Sequence, residues 1–129
     1  MSVTTGFITT QLASGDRFYA YSGIVQGDVS VPATVKLIDI PNIGLRDTFV
    51  KITPFFGDLV SGAATAILGI QILIDGIEVL ESQTQQGYLD QTRPWELFVP
   101  RGSKFEVISM NTTSNNTQDR GCTVLGWYL

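Results

Sequence analysis

The chain has 129 residues, which fits a single domain with one core, and 12 acidic against 8 basic residues give it a net charge of −4. An acidic chain without a run of Lys and Arg excludes partners whose phosphates need clustered cations, so we expect no nucleic-acid binding. Charged residues make up only 16% of the chain, against about a quarter in ordinary soluble domains, which indicates a surface covered by another chain.

The first 15 residues are rich in Thr, Ser and Gly with scattered apolar residues. This composition is typical of an arm that becomes ordered when it lies on another surface. The start lacks a basic segment followed by an apolar one, so we expect no secretion signal. The longest uncharged stretch, residues 59–74, is interrupted by polar residues and is shorter than the roughly 20 apolar residues of a membrane span. We therefore predict no membrane association.

Three predicted strands follow the arm. Residues 17–26 combine aromatic and β-branched side chains, and residues 34–40 alternate between apolar and polar ones. Residues 46–56 form a third strand, with Phe49 and Lys51 on one face. Pro54 cannot donate a ladder hydrogen bond, so it indicates a strand end, an edge or a bulge.

The clearest local signal is a β-hairpin over residues 68–83, where two β-type runs flank Asp75-Gly76. A type I′ turn needs positive φ at both central positions, and Asp-Gly tolerates this best. In the first strand Ile70, Ile72 and Ile74 share one face, which predicts one wall of the core.

Polar loops are predicted over residues 83–93 and 111–120, and strands over residues 94–100, 104–110 and 121–129. The last strand is apolar on both faces. Such two-faced apolar character is typical of a central strand or of one covered by a neighbour. Alternation places Val124 and Tyr128 on one face of this strand, and Leu125, Trp127 and Leu129 on the other.

Seven or eight strands at short spacing, without a 3.6-residue period, predict an all-β domain. We expect a single antiparallel β-sandwich or jelly roll over residues 16–129, preceded by a short N-terminal arm over residues 1–15.

The side chains offer little chemistry. The chain has no His, which excludes Ser-His and Cys-His nucleophiles and His-based zinc motifs. The single Cys122 is interpreted as a small buried hydrophobe. Loop aspartates lack the spacing of a calcium loop, and the strand carboxylates are interpreted as solvated faces rather than a glycosidase pair. We predict no catalytic residues, cofactor or metal; the carboxylates considered are Asp58, Asp90, Asp119, Glu78, Glu81, Glu96 and Glu106.

Four segments, VPATVKLIDIPN, LGIQILIDG, FVPRGSKFEVISMN and GCTVLGWYL, together give the chain a look that resembles the capsid decoration, or cement, proteins of tailed bacteriophages. The resemblance implies a homotrimer made in the host cytoplasm and seated on the outer surface of the virion, where it clamps subunits of the major capsid protein. Aromatic and apolar residues near both chain ends are the candidate partner interface, because Trp and Tyr are enriched where surfaces become desolvated. These residues are Phe7, Ile8, Leu12, Tyr19, Tyr21, Trp127, Tyr128 and Leu129.

Two other functions fit the same sequence. A carbohydrate-binding module or the receptor-binding tip of a fibre could present Asn, Gln and Tyr from the two polar loops to a glycan, with Tyr88 and Trp95 as the residues to test. An enzyme that uses carboxylates such as Glu96 and Glu106 is the other alternative.

Overall fold

A computed structural model describes residues 10–23, 25–26, 34–59, 67–85, 94–111 and 118–129. No helix long and apolar enough to cross a membrane is found in this part of the chain. The described residues form strands joined by turns. The strands are β1 (Thr10–Ser14), β2 (Arg17–Tyr21), β3 (Val25–Gln26), β4 (Thr34–Ile40), β5 (Thr48–Leu59), β6 (Ile67–Ile74), β7 (Ile77–Gln85), β8 (Trp95–Val99), β9 (Phe105–Asn111) and β10 (Gln118–Tyr128).

The strands form two antiparallel sheets. Sheet A has the order β1-β2-β10-β5-β8, and β3 also pairs with β10. Sheet B has the order β4-β9-β6-β7. The predicted all-β sandwich is confirmed. The strand count exceeds the prediction because β2 and β3 divide the strand predicted over residues 17–26, and because β1 lies within the N-terminal arm predicted over residues 1–15.

Side chains from both sheets meet in one core. Alternation along each strand sends every second residue inward, so the buried positions recur with a period of two. Ile70 and Ile72 are fully buried and Ile74 packs against the core, as predicted for the first strand of the hairpin. The core residues of sheet A include Phe18, Ala20, Val50, Ile52, Val99 and Val124, and those of sheet B include Ile38, Ile40, Ile70, Ile72, Phe105 and Val107.

The hairpin between β6 and β7 turns at Asp75 and Gly76, as predicted, with φ angles of 53° and 77°. The turn is also fixed to the start of β9. The Asp75 N–H donates to the Lys104 carbonyl at 2.9 Å, and the Lys104 N–H donates to Asp75 Oδ1 at 2.8 Å. Asp75 therefore holds both its own turn and a neighbouring strand.

A bulge interrupts the same hairpin. Ile72 pairs with Leu80, but the next residue, Leu73, pairs with Glu78, so Val79 is an extra residue in β7. Strict alternation after the turn is therefore broken. Leu80 packs against the core, while Val79 keeps 47% of its surface exposed.

Several strands extend beyond their predicted ends. Strand β5 reaches Leu59 and strand β10 begins at Gln118, and these two residues are register partners. Backbone hydrogen bonds in a ladder do not depend on side-chain polarity, so pairing continues into segments whose composition predicts loops.

Strand β10 lies at the centre of sheet A and requires a glycine at one position. Gly126 pairs with Phe18 of β2, whose side chain is fully buried. A Cβ on Gly126 would lie 2.0 Å from Phe18 Cε1, closer than non-bonded carbon atoms can approach. The Phe18 ring therefore occupies the space that any larger residue would need.

The end of β10 is held by two neighbouring loops. The Tyr128 N–H donates to the Asp16 carbonyl at 2.8 Å, and the Leu129 N–H donates to the Asp47 carbonyl at 2.9 Å. Arg46 Nε donates to the Leu129 carbonyl at 3.2 Å, and its Nη1 lies 3.3 Å from Asp16 Oδ1. These bonds fix the direction of the strand that carries Trp127.

Candidate interaction surface

The outer face of sheet A, the side away from the core, carries a row of aromatic side chains across three strands. Trp127 of β10 pairs with Phe49 of β5, and Phe49 pairs with Phe98 of β8. Their chain neighbours Gly126, Val50 and Val99 are buried, so alternation points the three aromatic residues outward. Phe98 keeps 49% of its surface exposed. We call Trp127, Phe49 and Phe98 the aromatic row.

Two tyrosines extend this face towards β1. Tyr19 and Tyr21 of β2 pair with Leu125 and Thr123 of β10, on the same side as Trp127. Tyr19 is half-buried, and Tyr21 is 40% exposed. The outer face of sheet A therefore combines aromatic side chains from β2, β5, β8 and β10.

A groove opens beside Tyr21 with a volume of about 410 Å³. Tyr21 of β2 and Thr53 of β5 lie on two sides of the groove. Thr123 of β10 pairs with both of them, so it lies between them. A smaller depression of about 270 Å³ adjoins it and shares these three residues, with Lys51 and Tyr19 on its sides. The groove is lined by Tyr21, Gly23, Thr53, Pro54, Gly121, Cys122 and Thr123.

The described side chains of this face include few charges. Arg17 and Glu96 are exposed, and Lys51 is half-buried beside the tyrosines. Lys51 and Glu96 are register partners on β5 and β8. None of the ion pairs found among the described residues involves Arg17, Lys51 or Glu96.

Sheet B has an outer face of a different kind. Lys36 Nζ lies 2.7 Å from Glu106 Oε2 and 3.6 Å from Asp39 Oδ2. Lys104 Nζ lies 3.6 Å from Glu106 Oε1. The two lysines and two carboxylates therefore neutralise one another within the sheet.

This network shifts two pKa values. The hydrogen bond from Lys36 and the charges of both lysines hold the pKa of Glu106 below its usual value, although burial acts in the opposite direction. The same hydrogen bond raises the pKa of Lys36. Both groups therefore stay charged at neutral pH, as expected of a structural ion pair.

No protein-family model matches this chain. No curated protein matches its sequence. The chemistry of the outer face of sheet A is therefore the main guide to its function.

The N-terminal candidates for the partner interface divide into three groups. Phe7 and Ile8 lie outside the described residues. Leu12 lies in β1, where its backbone pairs with Tyr19. Tyr19 and Tyr21 lie together on the outer face of sheet A. Two of these five residues are thus placed on the surface that carries the aromatic row.

The C-terminal candidates point in different directions. Trp127 lies in the aromatic row, and Leu129 is exposed beyond the end of β10. Tyr128 is half-buried and packs against the core, with its ring centroid 5.6 Å from that of Phe18. The Arg46 guanidinium lies over the Tyr128 ring, 5.5 Å from its centroid. Tyr128 therefore anchors β10 in the structure.

Phe49 and Phe98 also belong to this surface, although they are not among the interface residues predicted from the sequence. The signal is present in the alternation of each strand. Phe49 shares a face with Lys51, and Phe98 shares a face with Glu96. An aromatic residue on the same face as a charged one is a candidate for the solvent side of a strand.

Three of the described residues that were candidates for catalysis or glycan binding, or that could supply a reactive thiol, are buried or pack against the core. Glu106 is buried in the ion-pair network, and Trp95 packs against the core. Cys122 is buried, and this burial raises the pKa of its thiol to about 12. No group of three or more His, Cys, Asp or Glu side chains that could hold a metal is found within the described ranges. Tyr88 and Asp90 lie outside them.

Proposed function

We propose that this chain is a structural protein of a virus particle, which decorates and stabilises the outer surface of a bacteriophage capsid as a homotrimer. The observation that carries the proposal is the aromatic row on the outer face of sheet A. The resemblance of four sequence segments to phage decoration proteins supplies the biological setting. The low fraction of charged residues agrees with a surface that is covered in the assembled state.

The aromatic row has the composition of an interface core. Trp, Tyr and Phe are enriched where protein surfaces become fully desolvated, and charged residues are depleted there. Burying the exposed half of Phe98 alone contributes roughly 1 kcal/mol, since full burial of a Phe side chain contributes about 1.5–3 kcal/mol. Trp127 and Phe49 extend the same apolar area across neighbouring strands. Contact with a second protein surface therefore stabilises this face.

A trimer would strengthen binding to a capsid through multivalency. A capsid presents many identical subunits, so a trimer contacts several of them at once. Once the first subunit is bound, the others act at a high effective concentration, and weak individual contacts give tight overall binding. Loss of trimer assembly should therefore reduce capsid occupancy even when each chain remains folded.

The experiment combines light scattering with co-sedimentation on undecorated capsids. We expect a mass of about three times the 14.1 kDa of one chain, and saturable binding to capsids. Trp127→Ala should lower both trimer mass and capsid occupancy. Ile108→Ala is the matched control, because Ile108 is a half-buried apolar residue on the outer face of sheet B. A monomer at micromolar concentration, or capsids that bind no chain, would contradict the proposal.

The groove beside Tyr21 favours glycan binding as a second candidate function. Its walls combine the Tyr21 ring with the hydroxyl groups of Thr53 and Thr123, and sugars bind to such pairs of a flat ring and hydrogen-bonding groups. Glycan-array binding that is lost in Tyr21→Ala, from a chain that does not bind capsids, would establish this function in place of decoration.

A further inference from the structure

The described surface carries a second exposed apolar patch, on β7 at the edge of sheet B. Ile77 and Val79 are 68% and 47% exposed, and the exposed Glu78 and Glu81 lie between and beside them. We call these four residues the β7 patch. Its apolar side chains are aliphatic, and its charges are negative.

The β7 patch lies on an edge that is open to a partner. Strand β7 pairs only with β6 among the described strands, and its nine residues contain no proline. By contrast, β8 at the edge of sheet A is a five-residue strand between Pro94 and Pro100, which shortens the edge it presents. Val79, the extra residue of the bulge in β7, keeps 47% of its surface exposed. An exposed edge with apolar side chains is a pairing surface that proteins usually cover.

The two patches have opposite net charges. The outer face of sheet A presents Arg17, Lys51 and Glu96 beside aromatic rings, which gives it one net positive charge, while the β7 patch presents two carboxylates beside aliphatic side chains. None of the ion pairs within the described residues involves Arg17, Lys51 or Glu78. Opposite charges on two apolar surfaces favour their contact and orient it.

We propose that the outer face of sheet A of one copy packs against the β7 patch of the next copy. This inference depends on the homotrimer proposed above. A closed trimer requires a heterologous contact, in which two different surfaces of the chain meet and the rotation closes a ring. The two exposed apolar patches of opposite net charge satisfy that requirement. Two outer faces of sheet A packed on each other would instead bring together two surfaces of net positive charge and would close as a dimer.

Charge reversal tests the contact, with the trimer dissociation constant measured by light scattering over a dilution series. Lys51→Glu and Glu78→Lys should each weaken the trimer at least about tenfold, because each places like charges in the contact. The double variant should return to within a few-fold of the unmodified chain. Arg101→Glu is the matched control, since Arg101 is exposed in the turn after β8 and belongs to neither patch.

Thermal unfolding of each variant is measured first, and the light-scattering mass is interpreted only for variants that are folded. Lys51 is half-buried, so Arg17→Glu provides a second charge reversal at an exposed position of the same face. Trimers that persist in the single variants, or a double variant that stays dissociated, would overturn this contact while leaving the homotrimer intact. An unmodified chain that is monomeric would instead overturn the homotrimer, and this contact with it.

Discussion

Substitution of Gly126 by Ala should destabilise the domain, although it adds only one methyl group. The new Cβ would lie 2.0 Å, 2.5 Å and 2.6 Å from three ring atoms of Phe18, a side chain without exposed surface. The ring cannot move into solvent, so the core must deform, and overpacking of this kind costs about 1–3 kcal/mol. Contact with three ring atoms places the expected loss near the upper end, at about 2–3 kcal/mol. That loss corresponds to a decrease in Tm of roughly 10 °C for a domain of this size.

The assay is urea unfolding at one fixed protein concentration, followed by the fluorescence of the two tryptophans. A double-mutant cycle identifies the cause. Phe18→Ala alone should cost about 3–5 kcal/mol. In that background the ring is gone, so Gly126→Ala should be neutral or slightly stabilising, as Ala is in a strand that has space for it. Equal losses in the two backgrounds, or a neutral Gly126→Ala in the unmodified chain, would refute the packing argument.

Four other predictions follow from the described residues. Asp75→Ala should cost about 1–2 kcal/mol in thermal unfolding, because it removes the acceptor for the Lys104 N–H and places Ala at a φ of 53°; Asp75→Asn should cost less, and equal costs would contradict the turn argument. Ile72→Asp should abolish the native circular dichroism spectrum, since it buries a carboxylate among apolar side chains, and a folded variant would contradict the core assignment. The lowered pKa of Glu106 contributes stability that is present above the usual value of 4.5 and is lost as pH falls through the folded-state pKa. Glu106→Gln should therefore flatten the acid side of a plot of urea midpoint against pH, and an unchanged slope would contradict the ion-pair assignment. Cys122, with a pKa of about 12, should react with iodoacetamide only after unfolding, and rapid labelling of the folded chain would show that the thiol is accessible.

The hairpin could be predicted because its signal is local. Asp75-Gly76 fixes the turn through the φ angles that these residues tolerate, and the alternation of Ile70 and Ile72 fixes which face is buried. The bulge at Val79 could not be predicted in the same way. It depends on how β7 meets the core after the turn, which is a property of the packed sheets.

The strand order depends on long-range contacts that residue patterns do not encode. A period of two fixes the buried face of a strand and leaves its neighbours open. The pairing of β10 with both β2 and β5 brings Phe18 against Gly126, a contact across more than one hundred residues that no local pattern indicates. Glu106 is a similar case. Its alternation predicts an outward position, but only the pairing of β4 with β9 brings Lys36 within 2.7 Å of it.

The candidate surface could be predicted in part. The aromatic character of Trp127, Tyr19 and Tyr21 and their positions near the chain ends predict an interface, and the structure brings them onto one face of sheet A. Phe49 and Phe98 join that face because β5 and β8 lie beside β10. Alternation assigns the side chains of each strand to two faces, and the packing of the sheets determines which face is outward and that the aromatic residues meet there.

The most direct test of the central claim is cryo-electron microscopy of undecorated capsids mixed with the purified chain. We predict added density with three-fold symmetry on the outer surface of the capsid, large enough for three chains. Trp127→Ala should lower its occupancy, and Ile108→Ala should leave it unchanged. Capsids without added density at saturating concentrations of the unmodified chain would contradict the proposed role in decoration.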